Sequence, residues 1–295
     1  MFRVRVLPLF CLFCAVFCGA GAIRPAHAQA PIALEGVVIT ADRVSESAEK
    51  VGSAVTVITR EQIEASRAEN VAELLEQTPG LTVNQSGGAG GSAAVSIRGA
   101  ESDQTLVLID GVRVNDPAST GSEFDFAVFS LVNAERIEII RGPQSGLYGG
   151  DAIGGVINIL TRKGEGAPNA VAEVEGGSYG TFAQRAYAGG STGDVAVSVA
   201  ASNFYTSGFS RYSGGVEDDA TRKQSINARF DYDPSPIFGV TVTAGRYTLD
   251  ADLDSIGLRA SRDAADHVER VLTIASATAR VNLFDGQFQN KLIAS

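Results

Sequence analysis

From about Pro168 to the last residue, apolar and polar side chains alternate in segments of roughly ten residues. In the segment "SINARFDYD" the apolar members are Ile226, Ala228, Phe230 and Tyr232, and the polar members are Asn227, Arg229 and Asp231. A period of two places these two sets on opposite faces of a β-strand. Strands of this length with one apolar and one polar face are typical of a transmembrane β-barrel, whose outer face meets lipid and whose inner face is wet. The second half of the chain is therefore predicted to be antiparallel β-structure in a membrane.

The pattern predicts seven strands, and the turns between them give the topology. The strands lie near 169–176, 181–190, 195–206, 222–233, 239–250, 267–283 and 288–295. Three connections are short, "STGD", "DPSPIFG" and "FDGQ", whereas "TSGFSRYSGGVEDDA" and "ADLDSIGLRASRDAAD" are long and acidic. Outer-membrane barrels have short periplasmic turns and long outer loops, so both long loops are predicted on the outer side.

Seven strands do not close such a barrel. The last segment, "QFQNKLIAS", stops mid-strand and leaves an apolar edge with unpaired backbone groups, which a bilayer does not tolerate. We therefore expect the chain to be a fragment of a longer protein, either a natural truncation or a partial sequence.

The chain before this region has a different pattern, and residues 48–166 are predicted to form a small α+β domain with a mixed sheet. "REQIEAS" and "NVAELLEQ" have helical spacing, Asn70 with Glu73 is a plausible N-terminal cap, and Pro79-Gly80 ends the second helix. A glycine-rich loop, Asn84 to Ala94, follows; it lacks the spacing of the phosphate-binding glycine motifs.

The first 28 residues have the order of a secretory signal peptide. Arg3 and Arg5 precede an apolar run, and Ala26-His27-Ala28 is a small-x-small site that predicts cleavage before Gln29. An uncleaved membrane anchor is the alternative, because the run is almost long enough to span a bilayer. The polar leader 29–47 comes next and contains one β-like patch at 35–41.

Composition narrows the function further. All three cysteines, Cys11, Cys14 and Cys18, lie in the predicted signal peptide, so the mature chain has no disulfide or thiolate ligand. Of the 24 Lys and Arg residues, 21 lie beyond it against 34 Asp and Glu, a net charge of −13 that disfavours nucleic acid binding. His267 is the single remaining histidine and no catalytic set forms around it, so we predict that the protein is not an enzyme; a secreted enzyme with a glycine-rich site is the rival hypothesis.

Five segments together resemble the plug of TonB-dependent outer-membrane receptors, in the order that those receptors use. They are "EGVVITADR", "TVITREQIE", "VAELLEQTPGLTV", "VSIRGAESDQTLVLIDGVRVND" and "AERIEIIRGPQSGLYGGDAIGGVINILTRK". The resemblance implies an α+β plug domain (48–166) followed by the first strands (167–295) of a transmembrane β-barrel that has 22 strands in the full-length family. Within the family the likeness is greatest to vitamin B12 receptors.

The resemblance also implies a function and partners. The expected protein is a monomer in outer-membrane lipid that binds a large scarce ligand with high affinity and imports it with energy delivered by the inner-membrane protein TonB. Cobalamin is the favoured ligand, and a ferric siderophore or haem is the alternative. A passive porin-like channel is the rival from another class.

Several residues acquire expected roles through the same resemblance. Arg98 and Arg141 resemble plug arginines that pair with carboxylates of the barrel wall, which we expect to lie beyond Ser295. The expected TonB box, which would add as a strand to TonB, is Glu35, Gly36, Val37, Val38, Ile39, Thr40 and Ala41. The expected ligand contacts, in outward plug loops, are Asn84, Gln85, Ser86, Asn115, Asp116, Ser119 and Ser122.

Acidic residues concentrate in the two long loops, and no cofactor is required by the expected function. Clustered carboxylates are oxygen ligands suited to Ca²⁺, and the vitamin B12 receptors are similar in ordering outer loops with calcium. A solvated acidic surface is the alternative. The candidate ligands are Asp218, Asp219, Asp250, Asp252 and Asp254.

Overall fold

The structure is a computed structural model. It describes residues 2–5, 38–39, 46–47, 54–86, 88–116, 122–210, 218–257, 260–284 and 288–295. The side chains of residues 2–5, 38–39, 46–47, 254–257 and 260–266 lie outside that description. Across the described ranges, no helix combines the length and the apolar character needed to cross a membrane.

Three short strands precede the first domain: β1 (Phe2–Arg5), β2 (Val38–Ile39) and β3 (Glu46–Ser47). The first domain then contains β4 (Ala54–Ile58), α1 (Arg60–Ser66), α2 (Val71–Glu76), β5 (Leu81–Gln85), β6 (Ala93–Ile97), β7 (Thr105–Ile109), β8 (Val112–Arg113), β9 (Ala134–Arg141), α3 (Ser145–Tyr148) and β10 (Gly155–Thr161). Its main sheet has the order β4-β9-β10-β7-β8. Because β10 and β7 are parallel and the other pairs are antiparallel, the predicted mixed sheet is confirmed.

The second helix begins where the sequence places its cap. The Asn70 side chain accepts a hydrogen bond from the Glu73 backbone N–H at 3.1 Å, and the Glu73 carboxylate accepts one from the Glu69 N–H at 2.9 Å. Each bond satisfies a backbone donor that has no partner within the helix. The helix ends at Glu76, before the predicted end at Pro79-Gly80, and the turn that follows contains Gly80, whose φ of 83° suits glycine.

The core of this domain lies on the central strands. Ile137 and Ile139 of β9 and Ile157 and Ile159 of β10 are fully buried between the helices and the rest of the sheet. Strand β10 is mostly apolar, as expected when both faces of a sheet are covered, whereas β9 also contains the buried Glu138, whose carboxylate pairs with Arg136 at 2.9 Å. These buried strands position the loops that connect them at the edges of the sheet.

The second region is one antiparallel sheet of wall strands. It contains β11 (Asn169–Gly176), β12 (Phe182–Thr192), β13 (Val195–Thr206), β14 (Thr221–Tyr232), β15 (Phe238–Gly257), β16 (Ala260–Leu283) and β17 (Phe288–Ala294). They pair in chain order, so the seven predicted strands are confirmed. Strand β1 pairs with the free edge of β11, and cleavage before Gln29 would remove it.

The two faces of the wall are as the alternation predicts. On β14 the side chains of Ile226 and Phe230 are 59% and 41% exposed, whereas those of Asn227 and Asp231 are 3% and 2% exposed. The buried set faces the first domain, and the exposed apolar set points away from it. The exposed apolar face is the one predicted to meet lipid, and the buried polar face is the one predicted to line the lumen.

One loop prediction is wrong. The segment "ADLDSIGLRASRDAAD" was expected to be a long loop, but β15 and β16 continue to pair as far as Gly257 and Ala260. The polar composition misled the prediction, because main-chain pairing between two strands does not require an apolar face. Asp250 and Asp252 therefore lie on a strand.

Candidate functional site

The first domain and the wall share one hydrophobic core. On β15, Tyr247, Leu249 and Ala251 are at most 2% exposed and belong to the same buried cluster as the domain's own core. The Tyr247 ring stacks on Phe129 with 4.5 Å between centroids. Burying one aromatic side chain in this way stabilises by roughly 1.5–3 kcal/mol. The domain is therefore seated firmly on the lumen face of the wall.

A buried ion-pair network fixes the β7–β8 turn to the wall. The Asp110 carboxylate accepts hydrogen bonds from the Thr161 N–H at 2.9 Å and hydroxyl at 2.7 Å, and it pairs with the Arg229 guanidinium at 3.3 Å. Arg229 in turn donates to both oxygens of Asp231 at 2.8 and 2.9 Å. The side chains of Arg229, Asp110 and Asp231 are 16%, 11% and 3% exposed. We refer to these three residues as the turn network.

A second buried pair lies near the start of α2. Arg185 of β12 pairs with Glu69 of the first domain and, at 3.2 Å, with Glu175 of β11. Burial raises the pKa of the Glu69 carboxyl, and the Arg185 guanidinium acts in the opposite direction. Neither the turn network nor this pair was predicted from the sequence. The alternation indicates that Arg229 faces the lumen, but no local pattern identifies the partner of a lumen-facing charge.

The glycine-rich loop is the tight tip of the β5–β6 hairpin. Asn84, Gln85 and Ser86 are exposed there, as the ligand-contact prediction requires. The Ser86 N–H donates to the Ser92 carbonyl at 2.9 Å, and the Gln85 amide donates to the Gly88 carbonyl at 3.0 Å. Polar side chains are thus presented on a loop whose backbone hydrogen bonds are made internally. Their ligand contact stays a prediction.

Asn115, another predicted ligand contact, has a structural role. It is 5% exposed, its amide oxygen accepts from the Val107 N–H at 2.8 Å, and its amide nitrogen donates to the carbonyls of Thr105 and Ser122 at 3.1 and 3.0 Å. A side chain whose donors and acceptor all bind its own domain is not free to bind a ligand. We therefore remove Asn115 from the ligand set.

The other residues of the second loop stay predictions. Asp116 is exposed, Ser122 is partly exposed with a φ of 58°, and Ser119 lies outside the described residues. The Ser122 carbonyl accepts a hydrogen bond from the Asn115 amide, so Asn115 fixes the backbone at this candidate contact.

Arg98 and Arg141 lie next to each other. Burial and the positive charge of Arg98 lower the pKa of the Arg141 guanidinium, which donates to the Thr56 hydroxyl at 2.5 Å while its buried Nε has no partner. Among the described residues, no ion pair joins either arginine to a carboxylate. Two adjacent guanidinium groups repel each other and attract an anion. The expected wall carboxylates would satisfy this requirement, and their identity stays a prediction.

Of the predicted TonB box, the structure describes only Val38 and Ile39. They form β2, which pairs with β3 (Glu46–Ser47) apart from the main sheet. The other box residues lie outside the described residues: Glu35, Gly36, Val37, Thr40 and Ala41.

The candidate metal residues are dispersed. Asp250 and Asp252 face His267 of β16, with 3.6 Å from Nε2 to Asp250 and 3.2 Å from Nδ1 to Asp252. Asp218 is exposed, Asp219 is buried, and the Asp254 side chain is not described. The described residues contain no group of three or more His, Cys, Asp or Glu side chains placed to hold a metal ion. They do not by themselves fit a calcium site.

Comparisons with known proteins agree with this architecture. Residues 47–156 match the family model described as TonB-dependent Receptor Plug Domain. The chain is 41% identical over 152 residues to the "Vitamin B12 transporter BtuB" of Vibrio vulnificus, covering 52% of this chain and 25% of that protein.

Solved structures share the fold. FpvA of Pseudomonas aeruginosa in complex with pyoverdine and iron superposes with a TM-score of 0.69 at 18% identity, over 84% of this chain and 34% of FpvA. The ferric yersiniabactin uptake receptor FyuA of Yersinia pestis gives 0.64 at 20% identity, over 79% and 39%. The chain therefore spans about a third of these structures and a quarter of the curated relative.

Proposed function

We propose that this chain belongs to the TonB-dependent receptors of the bacterial outer membrane and forms the plug and the first wall strands of an importer. The observation that carries the proposal is the plug domain seated on the lumen face of an antiparallel wall through a shared core. A passive porin-like channel needs neither such a plug nor a leader strand. The family consists of receptors and transporters, so we assign no covalent chemistry.

The proposed ligand is cobalamin. The support is the 41% identity to a protein described as a vitamin B12 transporter. The structural neighbours that handle ferric siderophores are 18–20% identical, which speaks for the fold and leaves the ligand open. A ferric siderophore or haem is the second candidate.

The proposed cycle has two stages. The outward tips of the plug, including Asn84, Gln85 and Ser86, contact the ligand on the outer side. TonB then grips the box at 35–41 and transmits force to the plug. An outer membrane holds no nucleotide pool and no ion gradient, so the work must come mechanically from the inner membrane.

Equilibrium binding of cyanocobalamin tests the ligand. We expect outer membranes that carry the whole receptor to bind it saturably, with a Kd far below that of matched membranes without the receptor. A ferric siderophore in excess should not compete. If cyanocobalamin does not bind and a ferric siderophore or haem does, the importer class stands and the cobalamin assignment is wrong.

The same titration with a calcium chelator tests the acidic residues. Weaker cyanocobalamin binding after chelation, restored by added Ca²⁺, would support a calcium site that also uses residues outside the described part. Binding that is indifferent to the chelator would leave Asp218, Asp250 and Asp252 as a solvated acidic surface.

A further inference from the structure

The tip of the β5–β6 hairpin touches the wall at one glycine. A Cβ built on Gly90 would lie 2.3 Å from the Ala251 Cβ and 2.8 Å from the Thr221 hydroxyl oxygen, with a Leu253 methyl at 3.5 Å. The first distance is shorter than any ordinary contact between carbon atoms. Only glycine therefore lets the tip lie this close to the ends of β14 and β15.

An arginine of the next wall strand holds the same tip. Arg270 Nη1 donates to the Gly90 carbonyl at 3.1 Å and pairs with the Asp125 carboxylate at 3.3 Å. The other oxygen of Asp125 accepts from the N–H groups of Ala93 and Ala127 at 2.9 and 3.0 Å. Arg270 thus joins the tip, the start of β6 and the wall, with three-quarters of its side chain buried.

One strand of the hairpin is held by the core of the plug, and the other is exposed near the tip. Strands β5 and β6 form a sheet of two strands, separate from the main sheet of the plug. The side chains of Ala93, Val95 and Ile97 on β6 are buried in the core, whereas those of Asn84 to Ser86 are exposed. Its exposed residues, Asn84 to Ser86, lie within a few residues of Gly90, so the contact at the tip determines how they are presented.

We propose that Arg270 and Gly90 form a wall clamp that positions the outward plug hairpin for ligand capture. The inference rests on the proposed capture function. Holding the hairpin in its bound arrangement before the ligand arrives lowers the ordering cost of binding, which raises affinity. Arg270 is a positioning residue in this scheme, because it acts through the hairpin and contacts no ligand itself.

The first test needs no ligand. Gly88 is exposed and a side chain built there meets no atom within 4 Å, so Gly88→Cys can carry a spin label in the whole receptor. The three cysteines of this chain lie in the predicted signal peptide, and any cysteine in the rest of the receptor is replaced by serine before labelling. In receptor without ligand, Arg270→Gln and Gly90→Ala should each raise the mobile fraction of the label.

A second-site change separates positioning from general misfolding. Ala251→Gly removes the atom nearest to the new methyl group of Gly90→Ala, so the double variant should recover most of the label's immobility. The Thr221 hydroxyl stays close, so we expect partial recovery. Ala251→Gly alone is the reference for the double variant.

Arg280→Gln is the matched control. Arg280 lies on the same strand and pairs with Asp233 at 2.9 Å, away from the hairpin, so its removal should leave the label immobile. A label that stays immobile in Arg270→Gln and Gly90→Ala would overturn the proposal. The proposal would also be overturned if Arg280→Gln raised the mobile fraction of the label as much as Arg270→Gln does. A double variant whose label is as mobile as that of Gly90→Ala would overturn it too.

Binding of cyanocobalamin is the second readout. We expect Arg270→Gln and Gly90→Ala to weaken it roughly three- to tenfold, with Arg270→Lys and the double variant recovering part of the loss. Unchanged affinity in mobile variants would overturn the role in capture. If wild-type receptor does not bind cyanocobalamin, the cobalamin assignment fails, whereas the label experiment still decides whether the clamp holds the hairpin.

Discussion

Deleting residues 35–41 from the whole receptor should abolish energised uptake of cyanocobalamin while leaving its equilibrium binding unchanged. The deletion removes the segment that we propose TonB grips, without touching the outward hairpin or its wall clamp. Among the described residues, β2 (Val38–Ile39) pairs with the two residues of β3 (Glu46–Ser47). So short a ladder is easily replaced by pairing with the edge of a partner's sheet.

Single substitutions refine this test. Proline at Ile39 removes a backbone donor and blocks strand addition, so uptake should fall as far as in the deletion. Glu35→Gln changes one charge and keeps the backbone, so uptake should persist. Uptake is measured as accumulation of labelled cyanocobalamin in intact cells, and binding on isolated outer membranes. Loss of binding in the deletion would show that the segment serves the plug fold and would remove the TonB-box assignment.

Features that depend on local periodicity were predictable from the sequence. The third wall strand was expected at 195–206 and is observed at Val195–Thr206. The cap at Asn70 was also predictable, because a cap and the backbone N–H groups that it satisfies lie within one helical turn. The face to which a strand residue points, and the residues at which strands and helices begin and end, depend on neighbours along the chain.

Contacts between distant segments were not predictable. Arg229 and Asp110 are 119 residues apart, and Arg270 and Gly90 are 180 residues apart. The alternation indicates which wall residues face the lumen, but the plug residue opposite each depends on how two domains fit together. Gly90 illustrates the difference. The sequence shows that its loop is rich in glycine, but glycine is required at this position because the Ala251 side chain of the wall lies against it.

Polarity alone was a poor guide in two places. Asn115 was predicted to contact a ligand because it lies in a polar, glycine-bearing loop long enough to reach one, yet its amide binds backbone groups inside the plug. The β15–β16 extension was taken as a loop because its residues are polar, yet main-chain pairing continues through it. Backbone groups are satisfied within the protein in both places, by the Asn115 amide in one and by strand pairing in the other, which a hydropathy pattern does not show.

Replacing Arg229 by methionine should release the β7–β8 turn from the wall. The change leaves the Asp110 and Asp231 carboxylates buried without their cation, and one-sided removal of a buried ion pair costs roughly 3–5 kcal/mol. The Lys291 ammonium lies beside Gly111, so we expect a loss near the lower figure. Native-state hydrogen exchange measures it directly, because the Thr161 N–H donates to Asp110. Exchange there should become on the order of a hundredfold faster.

The double variant Arg229→Met with Asp110→Asn identifies the cause. It removes the Asp110 charge together with that of Arg229, so the Thr161 N–H should recover part of its protection from exchange. The double-mutant cycle should give a coupling free energy of about 1–3 kcal/mol. Additive losses would show that Arg229 does not act through Asp110, which would leave its pair with Asp231 and its packing as the cause. Because Asp110 belongs to the plug and Arg229 to the wall, a measured coupling would establish that this charge pair holds the plug in place. Any force applied through the TonB box would then have to break that pair or leave this edge of the plug behind.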